Sequence, residues 1–597
     1  MKSSLSRRGL IKRASAASMG AAFHIGVSKA DDVLEVDSQF KTSIQNVPRW
    51  ENELPVPSAA VPVGVGELPP AFGGKEVGDV LHGTAPEYFN QPDHWNQFPT
   101  QYYAVVAKAG EGFQLPPSMG LKTPFWGYGL VRPDGSVSPA ISPGPQYRFR
   151  IGQPAVVRTI NNLPEEISTH MHGGHWPSHS DGHASFLVVP GEARDYFYPN
   201  VLPRREDGTP DVSEAPSTMW YHDHPADVTA AHVARGLAGT APCFDDLELE
   251  LIRSGVLPGI PGKSDQGPAY ENPYDVYLAL SDKVYHRSGA IWYDRNNNNG
   301  YLGNVETING AAYPRFTVEA RKYRFRLLGA STARHRRLRL SDNSTFLRIG
   351  NDAWLFPKGQ EIQALAISPG KRADIIIDFS KYQPGTSVYL ENILHQKNER
   401  GPDGKLEDAE NPRVSGSPEF VHQLLRFDVV AADPSVPNAT VTAASMLRPH
   451  EPIHASEVEV RRAFRFERKQ GHWAINGKFY DEHVANAVPR LGSVEEWTLQ
   501  NGSGGWWHPI HMHLESHQQV RNLTTGQAPF YQNSFKQDVS MLGPNSEIVI
   551  RMRFRTFEGP FMFHCHTNEH EDVEMMFQFE VAKVASRKAQ PVQLFFP

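Results

Sequence analysis

The chain has 597 residues, 39% of them hydrophobic and 10% aromatic, which excludes wholesale disorder and exceeds what one hydrophobic core serves, so about two to four domains are expected. A net charge of −7, with no basic block beyond the N-terminus, gives no footing for a nucleic-acid partner. Two cysteines exclude an ordinary disulfide framework, and 49 glycines with 48 prolines favour many short strands over long helices.

Residues 1–30 place Arg7 and Arg8 ahead of Leu10 and Ile11, then a mildly apolar stretch ending in small residues at Ala30. This pattern predicts a twin-arginine export signal, and hence a periplasmic or secreted protein. No later segment offers about eighteen uninterrupted apolar residues, so no membrane span is expected. Residues 31–95, rich in Pro and Gly, read as an extended arm. Strand-like runs then recur in three blocks. QYYAVVAKAG, QYRFRIGQPAVVRTI and SFLVVPGEARDYFY fall in 96–255. After a proline-rich crossing, YDVYLALSD, KYRFRLLGAS, ALAISPGKRADIIIDF and SVYLENI fall in 256–432. HWAINGKFY, SVEEWTLQN, SEIVIRMRF and FMFHCH fall in 433–597. The blocks predict an all-β chain of three tandem β-sandwich domains. Two other stretches are read as irregular. The run from Asp294 to Gly300 hints at a calcium loop, but Asn299 and Val305 stand where an EF-hand needs Gly and Glu, so it is a polar turn. Residues 391–417 are expected to be a surface loop.

Histidine carries the chemistry. With 26 histidines, chance predicts about one His-x-His pair. The chain has His170/His172, His222/His224, His511/His513 and His564/His566. On a strand, residues i and i+2 project from one face, so each pair is a two-pronged imidazole fork. Imidazole alone does not choose among copper, zinc, iron and nickel. The C-terminal FMFHCHTNEHEDVEMM does: Cys565, His570 and Met575, with His508 from HPIHMH, form the two-histidine, one-cysteine, axial-methionine set of a blue copper site. A structural zinc would want a second cysteine. On one strand, Cys565 faces that copper while His564 and His566 face the other way.

With HMHGGH, WYHDH, HPIHMH and HCHTNEHEDVEMM in place, the sequence resembles the three-domain multicopper oxidases, especially laccases of the bacterial spore-coat type and bilirubin oxidases. The likeness runs over about residues 95–585 and includes GLAGT, FLRIGNDAW and INGKFYDE. It implies cupredoxin-like Greek-key sandwiches and four copper ions. Type 1 copper would sit on His508, Cys565, His570 and Met575, and type 2 on His170 and His511. The type 3 pair would sit on His172, His222, His224, His513, His564 and His566. It further implies that a small-molecule reductant gives up electrons singly and that dioxygen is reduced to water, with Asp181 and Glu571 supplying protons. One polypeptide provides both halves of the cluster, so a monomer is expected.

Several residues fall outside that pattern. His175, His179 and His183 read as polar loop histidines rather than an extra metal site or a channel rim, and Cys243 as a buried apolar thiol. Trp506 and Trp507 are either an aromatic wall for a flat substrate or core packing. The leading function is oxidation of phenols, aromatic amines or bilirubin-like pigments. Glu569, Glu571, Asp572 and Glu574 keep open an oxidase of Mn(II), Fe(II) or Cu(I), although 12 methionines without a Met-rich loop weaken the cuprous reading. A non-catalytic copper-binding scaffold is the third alternative. A copper nitrite reductase is disfavoured, because such chains have two domains and lack the four forks.

Overall fold

A computed structural model describes residues 43–44, 46–64, 98–112, 114–260, 272–402, 423–522 and 535–592. The expected export signal, most of the arm, and residues 403–417 of the expected surface loop lie outside them. Strands dominate and pair into three two-sheet sandwiches. The first has two four-stranded sheets. One runs Thr123–Leu130, Gln101–Gly112, Ala155–Asn162, Ala193–Tyr198. The other holds β1 (Thr169–His172) at its edge beside β2 (Thr218–Asp223). The second sandwich packs an eight-stranded on a five-stranded sheet, and the third packs two six-stranded sheets. In the third lie β3 (His508–Met512), β4 (Gly559–Cys565) and β5 (Met576–Val581). Short helices are attached: α1 (Thr229–Arg235) follows β2, and α2 (Asn568–Glu571) follows β4.

One device recurs in all three sandwiches. Gln101–Gly112 pairs in parallel with Ala155–Asn162, Asp275–Tyr285 with Lys322–Gly329, and Val458–Lys469 with Val494–Asn501. Parallel neighbours cannot be joined by a tight hairpin, so each module must cross over between them. Each has its own core: Tyr103, Val157 and Met219 in the first, Leu278, Phe325 and Phe427 in the second, Trp497, Ile550 and Phe563 in the third. Val494–Asn501 shows why these residues make strands, since its buried positions alternate with half-exposed ones as a one-sided sheet demands. Cys243 belongs to the first core, fully buried and unbridged, and burial pushes its thiol up.

The arm is extended where it is described. Its bridges join Glu53 to Arg315 and Val63 to Tyr102, so it lies across two sandwiches. The start of the expected surface loop is not on the surface. Ile393, Leu394, His395 and Gln396 are buried, because Gln396 accepts from the His335 backbone at 2.9 Å and donates to the Ala333 carbonyl.

Candidate metal centre

Two antiparallel ladders bring the forks together. In the first sandwich His170 stands opposite His222 across β1 and β2; in the third His511 stands opposite His564 across β3 and β4. The ladders face each other, so that the His172 and His511 rings stack at 3.6 Å and those of His170 and His513 at 3.8 Å. All eight imidazoles are buried.

Neutral imidazole carries a single N–H, and the surroundings decide which nitrogen holds it. His170 Nδ1 donates to the Asp181 carbonyl at 2.5 Å and His511 Nδ1 to the Asp538 carbonyl at 2.9 Å. His222 Nδ1 donates to the Asp223 carbonyl and His564 Nδ1 to the Cys565 carbonyl. Their Nε2 lone pairs therefore point inward. His170 Nε2 and His511 Nε2 lie 3.3 Å apart, and His564 Nε2 lies 3.1 Å from His224 Nε2 and 3.2 Å from His513 Nε2. His172 Nε2, His222 Nε2 and both ring nitrogens of His566 have no hydrogen-bond partner. A buried unsatisfied polar atom costs about 1–3 kcal/mol, and bare lone pairs at hydrogen-bond distance repel. Protonation offers no relief, because burial above all holds His170, His172, His511, His513 and His566 far below the usual imidazole range, and His224 at about 4. The arrangement fits metal cations and nothing else among common partners.

A second cluster lies one residue away along β4. Cys565 Sγ is 3.5 Å from both His508 Nδ1 and His570 Nδ1, which are 3.2 Å from each other. His570 Nε2 donates to the Asn299 carbonyl at 2.9 Å. Ser503 Oγ gives its proton to Asn501, so at 2.7 Å it accepts from His508 Nε2. Both Nδ1 atoms are thus bare and aimed at the sulfur. Burial pushes the Cys565 thiol up, so only a strongly bound cation would draw off its proton. Met575 is fully buried and held between these residues, its carbonyl accepting from Cys565 N at 3.1 Å and its N–H donating to the His570 carbonyl at 3.0 Å. One thiolate, two imidazoles and a neighbouring thioether suit copper.

Two carboxyls flank the imidazoles. Asp181 Oδ2 lies 2.6 Å from His513 Nδ1, and burial pushes its carboxyl well above the usual range. Glu571 Oε2 lies 3.2 Å from His564 Nδ1 and Oε1 3.5 Å from His224 Nδ1; burial would raise it, but those rings hold it low. His175, His179 and His183 do not converge. His183 bonds Gln578 Oε1 at 3.0 Å, His175 faces the Leu514 carbonyl at 3.3 Å, and His179 lies in the turn Ser178–Ser180. His175 and His183 are buried rather than loop-exposed.

Four supporting residues lie outside the histidine motifs. Asp538, whose carbonyl orients His511, is gripped by both arms of Arg372 at 2.6 and 2.5 Å. Arg372 lies in the ALAISPGKRADIIIDF run of the second sandwich, which reads as strand and gives no sign of the role. In the same run Gly370 has φ +74°, and a Cβ there would sit 2.5 Å from the His566 ring, so only glycine lets this turn close on the cluster. Trp473 packs 4.0 Å from the His570 ring, and nothing in its flanks signals that.

Models of the multicopper oxidase family match residues 140–245 and 453–585. The chain is 31% identical over 456 residues to the bilirubin oxidase of Albifimbria verrucaria, covering 74% of this chain and 71% of that one. It is 28% identical over 495 residues to a laccase of Bacillus stratosphericus, covering 74% and 89%. The crystal structure of a laccase from Pediococcus acidilactici superposes with a TM-score of 0.66 at 25% identity, covering 90% and 95%. The three sandwiches are cupredoxin-like, and the chain belongs to the multicopper oxidases, as a laccase-like copper oxidase.

Proposed function

We propose that this oxidase takes single electrons from phenols, aromatic amines or bilirubin-like pigments and uses dioxygen as acceptor. His508, Cys565, His570 and Met575 would hold a type 1 copper, His170 and His511 a type 2 copper, and His172, His222, His224, His513, His564 and His566 a type 3 pair, four ions in all. Bound copper supplies the one-electron chemistry and the reduction of dioxygen to water. The sandwich modules would span 96–255, 256–432 and 433–597, acting as a monomer exported through the signal at 1–30.

The observation that carries the reading is the pair of buried donor sets with inward lone pairs, joined through Cys565 and its neighbours His564 and His566. The chain's own residues have two further tasks. Asp181 Oδ2 faces His513 Nδ1, and the Glu571 carboxylate faces the Nδ1 atoms of His564 and His224, so these two carboxyls would pass protons to the cluster. The second sandwich, through Arg372 and Gly370, fixes the ring positions.

The organic reading is favoured over a metal-ion oxidase by the acidic residues beside His570. Glu569 Oε1 accepts from the Tyr293 hydroxyl at 3.1 Å, and the Asp572 carboxylate caps α1 through Thr229 N and Ala230 N. Glu574 accepts from Tyr480 N at 2.9 Å, and Glu571 faces the imidazole cluster. Each of the four thus already has a supporting task, Glu569 through one oxygen only. The test combines spectrum and turnover. Copper-loaded protein is expected to absorb at about 600 nm through the Cys565 bond, to carry four coppers, and to consume oxygen with a phenol. Turnover of Mn(II) or Fe(II) alone would sink the phenol reading. No oxygen uptake by fully loaded protein would leave only the scaffold.

A further inference from the structure

The imidazoles that would accept electrons are closed to direct contact. His508 and His570 have no exposed surface, and their outward nitrogens are engaged by Ser503 Oγ and the Asn299 carbonyl. Between them and the outside stand two indoles. Trp473 lies 4.0 Å from the His570 ring and 5.3 Å from that of His508, and Trp506 lies 5.5 Å from His570. Trp473 is pinned by an Nε1 bond to the Asn298 carbonyl at 2.7 Å, so the polar turn 294–300 serves as a clamp on this wall.

Two guanidiniums lie on the indoles. Arg468 sits 3.9 Å over Trp473 and 4.8 Å over Trp506, and Arg400 sits 5.5 Å over Trp506. Both residues are exposed. Arg468 bonds the Asn299 side chain, but among the described residues neither guanidinium has a carboxylate within ion-pair distance. Three buried arginines contrast with them: Arg336, Arg372 and Arg448 are each forked to a carboxylate. Burial and then the charge of Arg400 pull the Arg468 guanidinium below its ordinary value, and the Glu399 carboxylate offsets them only in part. In a chain of net charge −7, this is a positive spot over an aromatic floor with no ion pair among the described residues.

Resting on the reading of Cys565 and its histidines as the electron-accepting site, we propose that Arg400 and Arg468 over Trp473 and Trp506 are the reductant's docking site, selective for aromatic donors bearing a carboxylate or similar anion. Both indoles are buried beneath the exposed guanidiniums, and a guanidinium presents a planar fork to a carboxylate and stacks on an aromatic ring, so one donor satisfies both. Each phenol gives up one electron and its hydroxyl proton and leaves as a phenoxyl radical. Four such electrons and four protons reduce one dioxygen to two waters.

The test compares syringate with methyl syringate, the same phenol with and without the anionic charge. kcat/KM for each is measured on copper-loaded full chain, on R400Q, and on R400Q/R468Q. Binding of each to copper-free protein is measured by calorimetry. The wild type is expected to prefer the acid, and added salt to narrow the preference. The double variant is expected to lose the acid about three- to tenfold, as rim charges do, while the ester and the copper band stay unchanged. R400Q, whose side chain makes no hydrogen bond among the described residues, is expected to show part of the loss without touching the Asn299 contact. An acid-to-ester ratio unmoved in the double variant overturns the proposal, as does equal binding of acid and ester by the copper-free wild type. If neither phenol turns over but acid binding still depends on Arg400, the phenol-oxidase reading fails and the docking site stands.

Discussion

At the scale of single residues, Cys565 and Arg372 separate ligand from support. Cys565→Ser keeps volume but removes the sulfur that faces His508 Nδ1 and His570 Nδ1. The expected outcome is loss of the band at about 600 nm, one copper fewer per chain, and oxygen uptake reduced more than about a hundredfold, beyond what losing a supporting partner does. A variant that keeps the band refutes the assignment of the thiolate. Arg372→Lys is subtler, since it retains the charge but not the fork that holds both Asp538 oxygens. The His511 ring is oriented by the Asp538 carbonyl, so copper between His170 and His511 should bind about ten- to a hundredfold more weakly. Copper counts under a competing chelator read this, with the band at about 600 nm unchanged as the control. The two residues also mark what a sequence discloses. Histidines two apart and a cysteine between histidines stand out because rare side chains at strand spacing are improbable by chance. Asp538 and Arg372 are common residues that reach the cluster from another strand and another sandwich, and only the folded chain brings them there.

At the scale of elements, α1 shows how the rim of the cluster is held. His232 on that helix lies 2.5 Å from Asp223 Oδ2 through Nδ1 and 3.1 Å from Glu165 Oε2 through Nε2. Asp223 stands between His222 and His224, and its other oxygen accepts from Ser168 N, which leads into β1. Glu165 is held in turn by Arg235 and Arg295, and the Trp126 ring packs on the imidazole. Burial opposes protonation of His232, but the two carboxylates outweigh it and raise its pKa. Its cationic form therefore contributes stability in full below its unfolded value of about 6.5, and that contribution is lost as pH rises through the higher folded value. The thermal midpoint of copper-free protein should fall as pH rises above neutrality. H232Q should be less stable at pH 6, by about 3 kcal/mol or more for stranding buried Asp223, with a lower midpoint and a flatter profile. Identical pH profiles for both proteins would refute this. Strands were legible from their runs of β-branched and aromatic residues, and the three blocks of them match the three sandwiches. The path of 393–396 was not, because polar residues buried by backbone hydrogen bonds look like a surface loop.

At the scale of the whole molecule, the cluster is shared. Four imidazoles come from the first sandwich and four from the third, and the second supplies Arg372 and Gly370. Buried ion pairs cross the same seams: Arg555 reaches Asp211 and Glu214, Lys536 reaches Glu214, and Arg324 reaches Glu248. Such pairs repay much of their own desolvation and leave little net stability, so they fix how the modules dock more than how tightly. Metal acts differently. Without it, inward lone pairs repel across the seam between first and third sandwiches; with it, each ion of the imidazole cluster would be bound by both modules at once and by neither alone. Binding free energy then becomes docking free energy, about 4 kcal/mol per site at a thousandfold excess over the dissociation constant. Calorimetry of copper-free protein should resolve more than one unfolding transition, as expected when domains uncouple. Copper loading should merge them into one at a higher temperature. Cys565→Ser, which alters a site lying wholly in the third sandwich, should leave that merging intact, whereas His170→Ala or His511→Ala should weaken it. If copper raises only one transition and leaves the others where they were, the ions are not bridging the modules.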